Sequence, residues 1–175
     1  EILQEIKSKN KTVYGHMNYI NNASGYPMHK NTEVKYYSLG EDNYVDLIKE
    51  LKKAKKYIFM EYFIIEEGQM WNGILEILEQ KAKEGLDVRL MYDDMGCVSL
   101  LPYGYDKELE KKGIQCIAFN PFKPLLSLAM NNRDHRKITV IDGHTGFTGG
   151  INLADEYINV KERFGHWKDT GVMLK

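Results

Sequence analysis

Between Tyr57 and Tyr92 the chain reads YIFMEYFIIEEGQMWNGILEILEQKAKEGLDVRLMY. Tyr57 to Ile65 is an almost unbroken apolar, aromatic and β-branched run, the pattern of a strand covered on both faces. Trp71, Ile74, Leu75, Leu78 and Ala82 then recur at helical spacing as far as Gly85, and Val88 to Tyr92 forms a second apolar run. Strand, helix and strand in that order predict a βαβ unit, and the flanking sequence extends it. Upstream, Val34 to Tyr37 predicts a short strand, and Tyr44, Val45, Leu47, Ile48 and Leu51 predict an amphipathic helix with acids early and lysines late. Downstream, a helix over Asp106 to Lys112 stops at Gly113 and a strand follows over Ile114 to Phe119. The alternation places the chain in the α/β class, with a central mixed, largely parallel sheet flanked by helices. Past Phe119 the alternation breaks. Asn120 to Asn132 carries Pro121, Pro124 and aperiodic apolar residues; Lys137 to Ile141 then predicts a strand, Asp142-Gly143 a turn, Thr145 to Thr148 a return strand, and Gly171 to Leu174 a closing strand.

Composition narrows the choices. A chain of 175 residues, 43% hydrophobic, is long enough for one core and short for two. Lys and Arg number 24 against 25 Asp and Glu, so no overall positive field draws in nucleic acid, which is not expected as a partner. Two cysteines are too few for a disulfide-stapled secreted scaffold. The longest stretch without Asp, Glu, Lys or Arg, Thr12 to His29, is rich in Asn, Gly and Tyr and predicts no membrane span. After a short opening helix, Glu1 to Tyr26 reads as polar and aperiodic, so residues 1–30 are expected to be a lead-in segment and 31–175 the domain. The chain opens at Glu1 and ends just after an apolar run, the expectation for a fragment of a longer polypeptide.

Chemistry concentrates after residue 130. His135 and Lys137 are two apart at the start of a predicted strand, so both side chains leave one face. An imidazole serves as nucleophile or proton shuttle near neutral pH, and an ammonium beside it suits the oxygens of a phosphate. Gly149 and Gly150 permit close backbone approach, and a helix expected from Leu153 would offer its N-terminal N–H groups to an anion. Asn152 fits as N-cap of that helix, with Asp155 at the capping-box position. Asp93 and Asp94 read as loop-capping acids. Asp134, His135, Asp142 and His144 match no metal-ligand spacing, so neither metal nor cofactor is expected. The lysines at 52–56 and 107–112 read as solvated helix faces.

His135-x-Lys137-x4-Asp142-x6-Gly149-Gly150-x-Asn152 resembles the signature of the phospholipase D superfamily. Lys55 to Tyr62, Gly85 to Asp93, Asn132 to Lys137 and Gly165 to Asp169 further resemble the bacterial cardiolipin synthases, and the likeness runs from about Asn31 onward. The resemblance implies a metal-independent phosphatidyltransferase that joins two phosphatidylglycerols into cardiolipin and glycerol through a phosphohistidine. It implies His135 as nucleophile, and Lys137 and Asn152, with Gly149 and Gly150, around the phosphate oxygens. Asp169 would orient the imidazole, and Asp142, the last catalytic-set member, would hold the loop. Enzymes of this family carry two such motifs, whereas His16, His29, His144 and His166 do not stand in a second one here. The expected partner is therefore a second motif half, on the same full-length chain or in a homodimer, together with phosphatidylglycerol and anionic membrane lipid. The full-length protein is expected at the cytoplasmic face of the bacterial cell membrane, and this fragment is expected to be soluble. Gly150 stands where much of the superfamily has Ser. The alternatives are a homodimeric nuclease or phosphodiesterase of the same superfamily and a non-catalytic domain that binds phosphate or anionic lipid. Part of the stretch that holds Phe119, Phe122, Leu125, Leu126, Leu128 and Met130 is expected to form an apolar rim for acyl chains at the site mouth, the alternative being ordinary core packing.

Overall fold

The computed structural model describes residues 2–121 and 131–175. The chain divides into two units, the first ending at Glu33 and the second spanning Val34–Lys175. The first unit holds α1 (Ile2–Lys9) and α2 (Lys11–Ser24), neither with a buried residue. The stretch expected to be aperiodic is thus mostly helical. Caps explain it: the Asn10 side chain accepts from the N–H groups of Thr12 and Val13, and Gly25 closes the other end in a left-handed conformation, donating to Asn21 O. Of the expected apolar rim only Phe119 falls within the described residues, at the end of a strand.

The second unit carries a seven-stranded sheet in the order β1-β7-β6-β5-β2-β3-β4. The strands are β1 (Val34–Tyr37), β2 (Tyr57–Tyr62), β3 (Asp87–Asp93), β4 (Gln115–Phe119), β5 (Ile138–Ile141), β6 (Thr145–Gly149) and β7 (Gly171–Leu174). The helices are α3 (Gly40–Lys53), α4 (Gln69–Lys83), the four-residue α5 (Asp94–Cys97) and α6 (Tyr105–Lys111). A mixed sheet flanked by helices is the architecture expected. Its parallel part is confined to β2, β3 and β4, and every other pairing is antiparallel, so the sheet is not largely parallel. The physical reason is connectivity. Only the helical crossovers from β2 to β3 and from β3 to β4 join neighbouring strands, whereas α3 carries the chain from β1 at the sheet edge to β2, and β5 and β6 are joined by the tight turn at Asp142-Gly143-His144, which can link only antiparallel neighbours.

One layer of helices makes the core. Leu47, Leu51, Trp71, Ile74, Leu78 and Leu109 bury against Ile58, Met60, Tyr62, Val88, Leu90 and Tyr92 from the sheet. Burial alternates along β2, so the run from Tyr57 is covered on one face only among the described residues. Phe59, Glu61, Met91, Ile117, Ile138 and Val140 line an open groove of about 380 Å³ on the other face. No described helix is long and apolar enough to cross a membrane.

Asp142 locks the centre of this sheet. Its carboxylate accepts from the backbone N–H groups of Lys55, Lys56 and Tyr57 at 2.9, 2.8 and 3.0 Å, and its own N–H donates to Tyr57 O. Burial alone would raise its pKa, but those three donors outweigh it and hold the carboxyl below its usual range. Asp142→Ala is therefore expected to lower the unfolding free energy by about 2 kcal/mol, read from urea denaturation. A loss below about 0.5 kcal/mol, the scale of an ordinary surface change, would contradict this anchoring role.

Candidate functional site

Residues 131–137 run along the edge of the sheet where the parallel strands end and β5 begins, and three acids hold this segment. Asp93, at the end of β3 and fully buried, accepts from Gly96 N at 3.0 Å, Arg133 Nη1 at 3.2 Å and Asp134 N at 2.9 Å. Asp134 accepts from the backbone N–H and the guanidinium of Arg136. Glu61, on β2, pairs with Arg136 Nε at 2.6 Å and hydrogen-bonds Asp134. Arg133, Asp134 and Arg136 are thereby tied to the sheet end, and 135 and 137, two apart, share the side opposite to 134 and 136, as strand alternation requires.

His135 is exposed, and its ring lies 4.7 Å from that of Phe63, tilted by 60°. Lys137 is 4% exposed; its Nζ stands 5.3 Å over the same Phe63 ring and donates to His135 O at 2.7 Å. Burial lowers the lysine pKa, and the negative charges of Asp169 and Asp134 work against that shift. The expected pairing of His135 with Lys137 is thus present, organised by an aromatic ring that no sequence signal singled out. Phe63 lay inside a run read only as strand.

The glycines act through the backbone. A Cβ on Gly149 would run into Thr170 O and stand 2.7 Å from Gly171 Cα; one on Gly150 would stand 2.7 Å from Asp169 Cγ. Gly150 N donates to Thr170 O at 3.0 Å. These residues therefore let the start of β7 and the carboxylate of Asp169 close onto the end of β6. Asp169 accepts from Thr170 N and exerts its charge on Lys137, and no hydrogen bond joins it to the His135 ring. Asn152 is 2% exposed; its Oδ1 accepts from Ile64 N at 3.0 Å and its Nδ2 donates to Tyr157 Oη at 2.8 Å. One amide N–H remains for other use.

Three expectations are corrected. In place of a helix from Leu153 there is a four-residue 3-10 turn, Asp155–Ile158, preceded by Ala154 with no side-chain cap, so Asn152 is not a helix N-cap. Asp155 instead caps α4, accepting from Gln69 N at 2.9 Å and Met70 N at 2.8 Å. The long-range partner wins because α4 carries unpaired N–H groups that no residue of its own caps. Asp142, expected to hold the loop, lies at the far end of β5 from His135 and accepts from the backbone of residues 55–57. Asp93 does cap α5, but most of its bonds go to the histidine segment.

The acids also titrate unusually. Burial, then the hydrogen bond to Asp134, pushes Glu61 from 4.5 up to about 7, while Arg136 opposes the shift. Asp134 goes the other way, since Arg136 and Glu61 outweigh its burial. The folded chain thus keeps a proton on Glu61 that the unfolded chain releases, and stability should fall as pH rises from 4.5 to about 7. Glu61→Gln should flatten that decline by on the order of 1 kcal/mol between about pH 5 and about pH 8. Equal pH profiles for parent and variant would refute it. Among the described residues no group of His, Cys, Asp or Glu is placed to hold a metal ion.

Comparison with known proteins adds context to this geometry. Residues 47–163 match the family described as "Cardiolipin synthase, PLD-like domain". A protein of Streptococcus mutans described as uncharacterized is 52% identical over 99% of this chain and 38% of its own length. A cardiolipin synthase of Staphylococcus aureus is 42% identical over 81% of this chain and 29% of its own. The chain thus spans less than two fifths of the length of these curated relatives. Among solved structures, NucT from Helicobacter pylori aligns with a TM-score of 0.59 at 13% identity, covering 82% of this chain and 86% of that one. Phosphatidylserine synthase from Haemophilus influenzae aligns at 0.61 and 16% identity, covering 80% and 32%. The phospholipase D family member Nuc from Salmonella typhimurium aligns at 0.56 and 18% identity, covering 82% of each. At these identities the likeness is one of fold.

Proposed function

Because the chain belongs to the cardiolipin synthase, phospholipase D-like domain family, we propose that it supplies one histidine–lysine half of a phosphatidyltransferase site that joins two phosphatidylglycerols. The observation that supports this reading is an exposed imidazole set beside a buried ammonium across one aromatic ring. His135 attacks the phosphodiester phosphorus, a P–N bond forms, and the P–O bond to glycerol breaks. The departing alkoxide takes its proton from a second histidine, which a partner half contributes. The head-group hydroxyl of a second phosphatidylglycerol then gives its proton to that second histidine and attacks phosphorus, and the P–N bond breaks to give cardiolipin and the free His135 imidazole. Lys137 has one N–H committed to His135 O, leaving two for the non-bridging oxygens of the phosphate. The remaining N–H of Asn152 serves the same oxygens, while Gly149 and Gly150 let Asp169 and the start of β7 close in on that side of the site. Asp169 stabilises the charged forms of Lys137 and of the imidazole as positive charge develops there.

The test is covalent. Incubation with phosphatidylglycerol labelled in its phosphate is expected to leave an alkali-stable, acid-labile phosphate on the chain, lost in His135→Gln. Sedimentation equilibrium run alongside shows whether the chain pairs with itself. Lipid binding without any covalent phosphate, in an assembly shown to carry two histidine motifs, would replace this reading with a non-catalytic binding domain. Salt-sensitive DNA cleavage by a self-paired chain would replace it with a nuclease.

A further inference from the structure

We propose that Asp93 is a positioning residue for His135, acting through Arg133 and the backbone of Asp134; the inference rests on the reading of His135 as nucleophile. A carboxylate with no exposure to water is expensive unless fully paired, and a four-residue helix cap on a surface loop does not require one. Asp93 accepts three hydrogen bonds, and only one of them, from Gly96, serves the cap. The other two go to Arg133 and to the N–H of Asp134, the two residues that lead into His135. Arg133 also donates to Asn120 O at 3.2 Å, just past β4, so its guanidinium spans the ends of two neighbouring strands.

The consequence for His135 is geometric. On one side the backbone is fixed at Asp134 by Asp93, and on the other it enters the β5 ladder at Ile138, paired with Glu61 of β2. Only residues 135–137 lie between these anchors, and the Lys137 ammonium ties back to the His135 carbonyl. Removing the negative charge of Asp93 releases Arg133 and slackens the first anchor, so the imidazole loses its fixed direction over Phe63. An error of about 1 Å in placing a nucleophile is enough to lower a rate about a hundredfold.

The experiment follows the His135 imidazole directly by long-range proton–nitrogen correlation spectroscopy, with its signals assigned by their loss in His135→Gln. It also measures the affinity of the chain for orthovanadate. Asp93→Asn, near-isosteric and uncharged, is expected to shift or broaden the His135 signals and weaken orthovanadate binding by about tenfold in protein that still melts cooperatively. Arg133→Met should do the same, and the double variant should add little, since both act through one clamp. Asp87→Asn, at the opposite end of β3, should leave both readouts as in the parent. Unchanged His135 signals and orthovanadate affinity in folded Asp93→Asn would overturn the proposal and leave Asp93 a cap. Should Asp93→Asn fail to fold, Arg133→Met decides, because it keeps the Asp93 bonds to Gly96 and Asp134. Orthovanadate binding indifferent to His135→Gln would instead sink the phosphotransfer reading, while the imidazole signals would still judge the role of Asp93.

Discussion

Lys137→Met is expected to slow formation of the covalent phosphate by about 10²–10³-fold, the scale for losing one preorganised charge at a reacting oxyanion, and to leave the protein no less stable. The two halves of that expectation have one cause. The Lys137 side chain is buried, and among the described residues its ammonium has one hydrogen-bond partner, the carbonyl of His135. Burial holds its pKa below the usual 10.5, against the pull of Asp169 and Asp134, so carrying the charge costs the folded chain stability relative to the unfolded one. Stability from this group rises only as the pH climbs through the lowered pKa towards 10.5, where the folded chain sheds the proton before the unfolded one. Methionine fills similar volume without the charge, so the midpoint of thermal unfolding should hold or increase and its alkaline dependence should flatten. A position kept charged at the expense of stability is what a binding site for phosphate oxygens demands. Unchanged labelling in Lys137→Met would remove the lysine from the site. A large fall in the melting midpoint would mean that its bond to His135 O matters more to the fold than its desolvation.

Gly149→Ala should destabilise the chain by about 3 kcal/mol, the sum of an added methyl with nowhere to go and a backbone conformation that disfavours one. Gly149 sits opposite Gly171 in the β6–β7 register at φ +153°, with Thr170 O directly over the position a Cβ would take. The clash is with backbone, so no side chain can swing aside. Relief would push Thr170 outward and carry Asp169 away from Gly150 and Lys137, so the variant should lose labelling as well as stability. Gly146→Ala, on the same strand with nothing near its would-be Cβ, is the control and should change stability by no more than about 0.5 kcal/mol. Urea denaturation of the two variants side by side gives the answer. Equal stabilities would mean that β7 has room to move.

The helices and most strands were legible because their signals are local. A stripe such as Trp71, Ile74, Leu75 and Leu78 has to form a helix with one buried side wherever it lies in the molecule. His135 and Lys137 were legible for the same reason, since a period of two puts both on one side of the chain. Asn152 and Asp155 mark where local reading fails. Their spacing suits a capping box, yet their side chains pair with Ile64 and the start of α4 across long sequence separations, and with Tyr157 five residues on. A short polar side chain goes to whichever unpaired backbone group the packed core leaves nearby, and spacing along the chain does not record that choice.

By itself, then, the sequence determined the α/β class and the identity and order of most elements of the second unit. It did so because burial periodicity acts over one or two turns of chain. Only the tertiary structure decided that β5 inserts antiparallel beside β2, that Asp142 belongs to the sheet centre, that Phe63 packs near both His135 and Lys137, and that Asp93 reaches the histidine segment. Each depends on which strand ends meet at one edge of the sheet, and that meeting is settled by packing of the whole core rather than by any stretch of it.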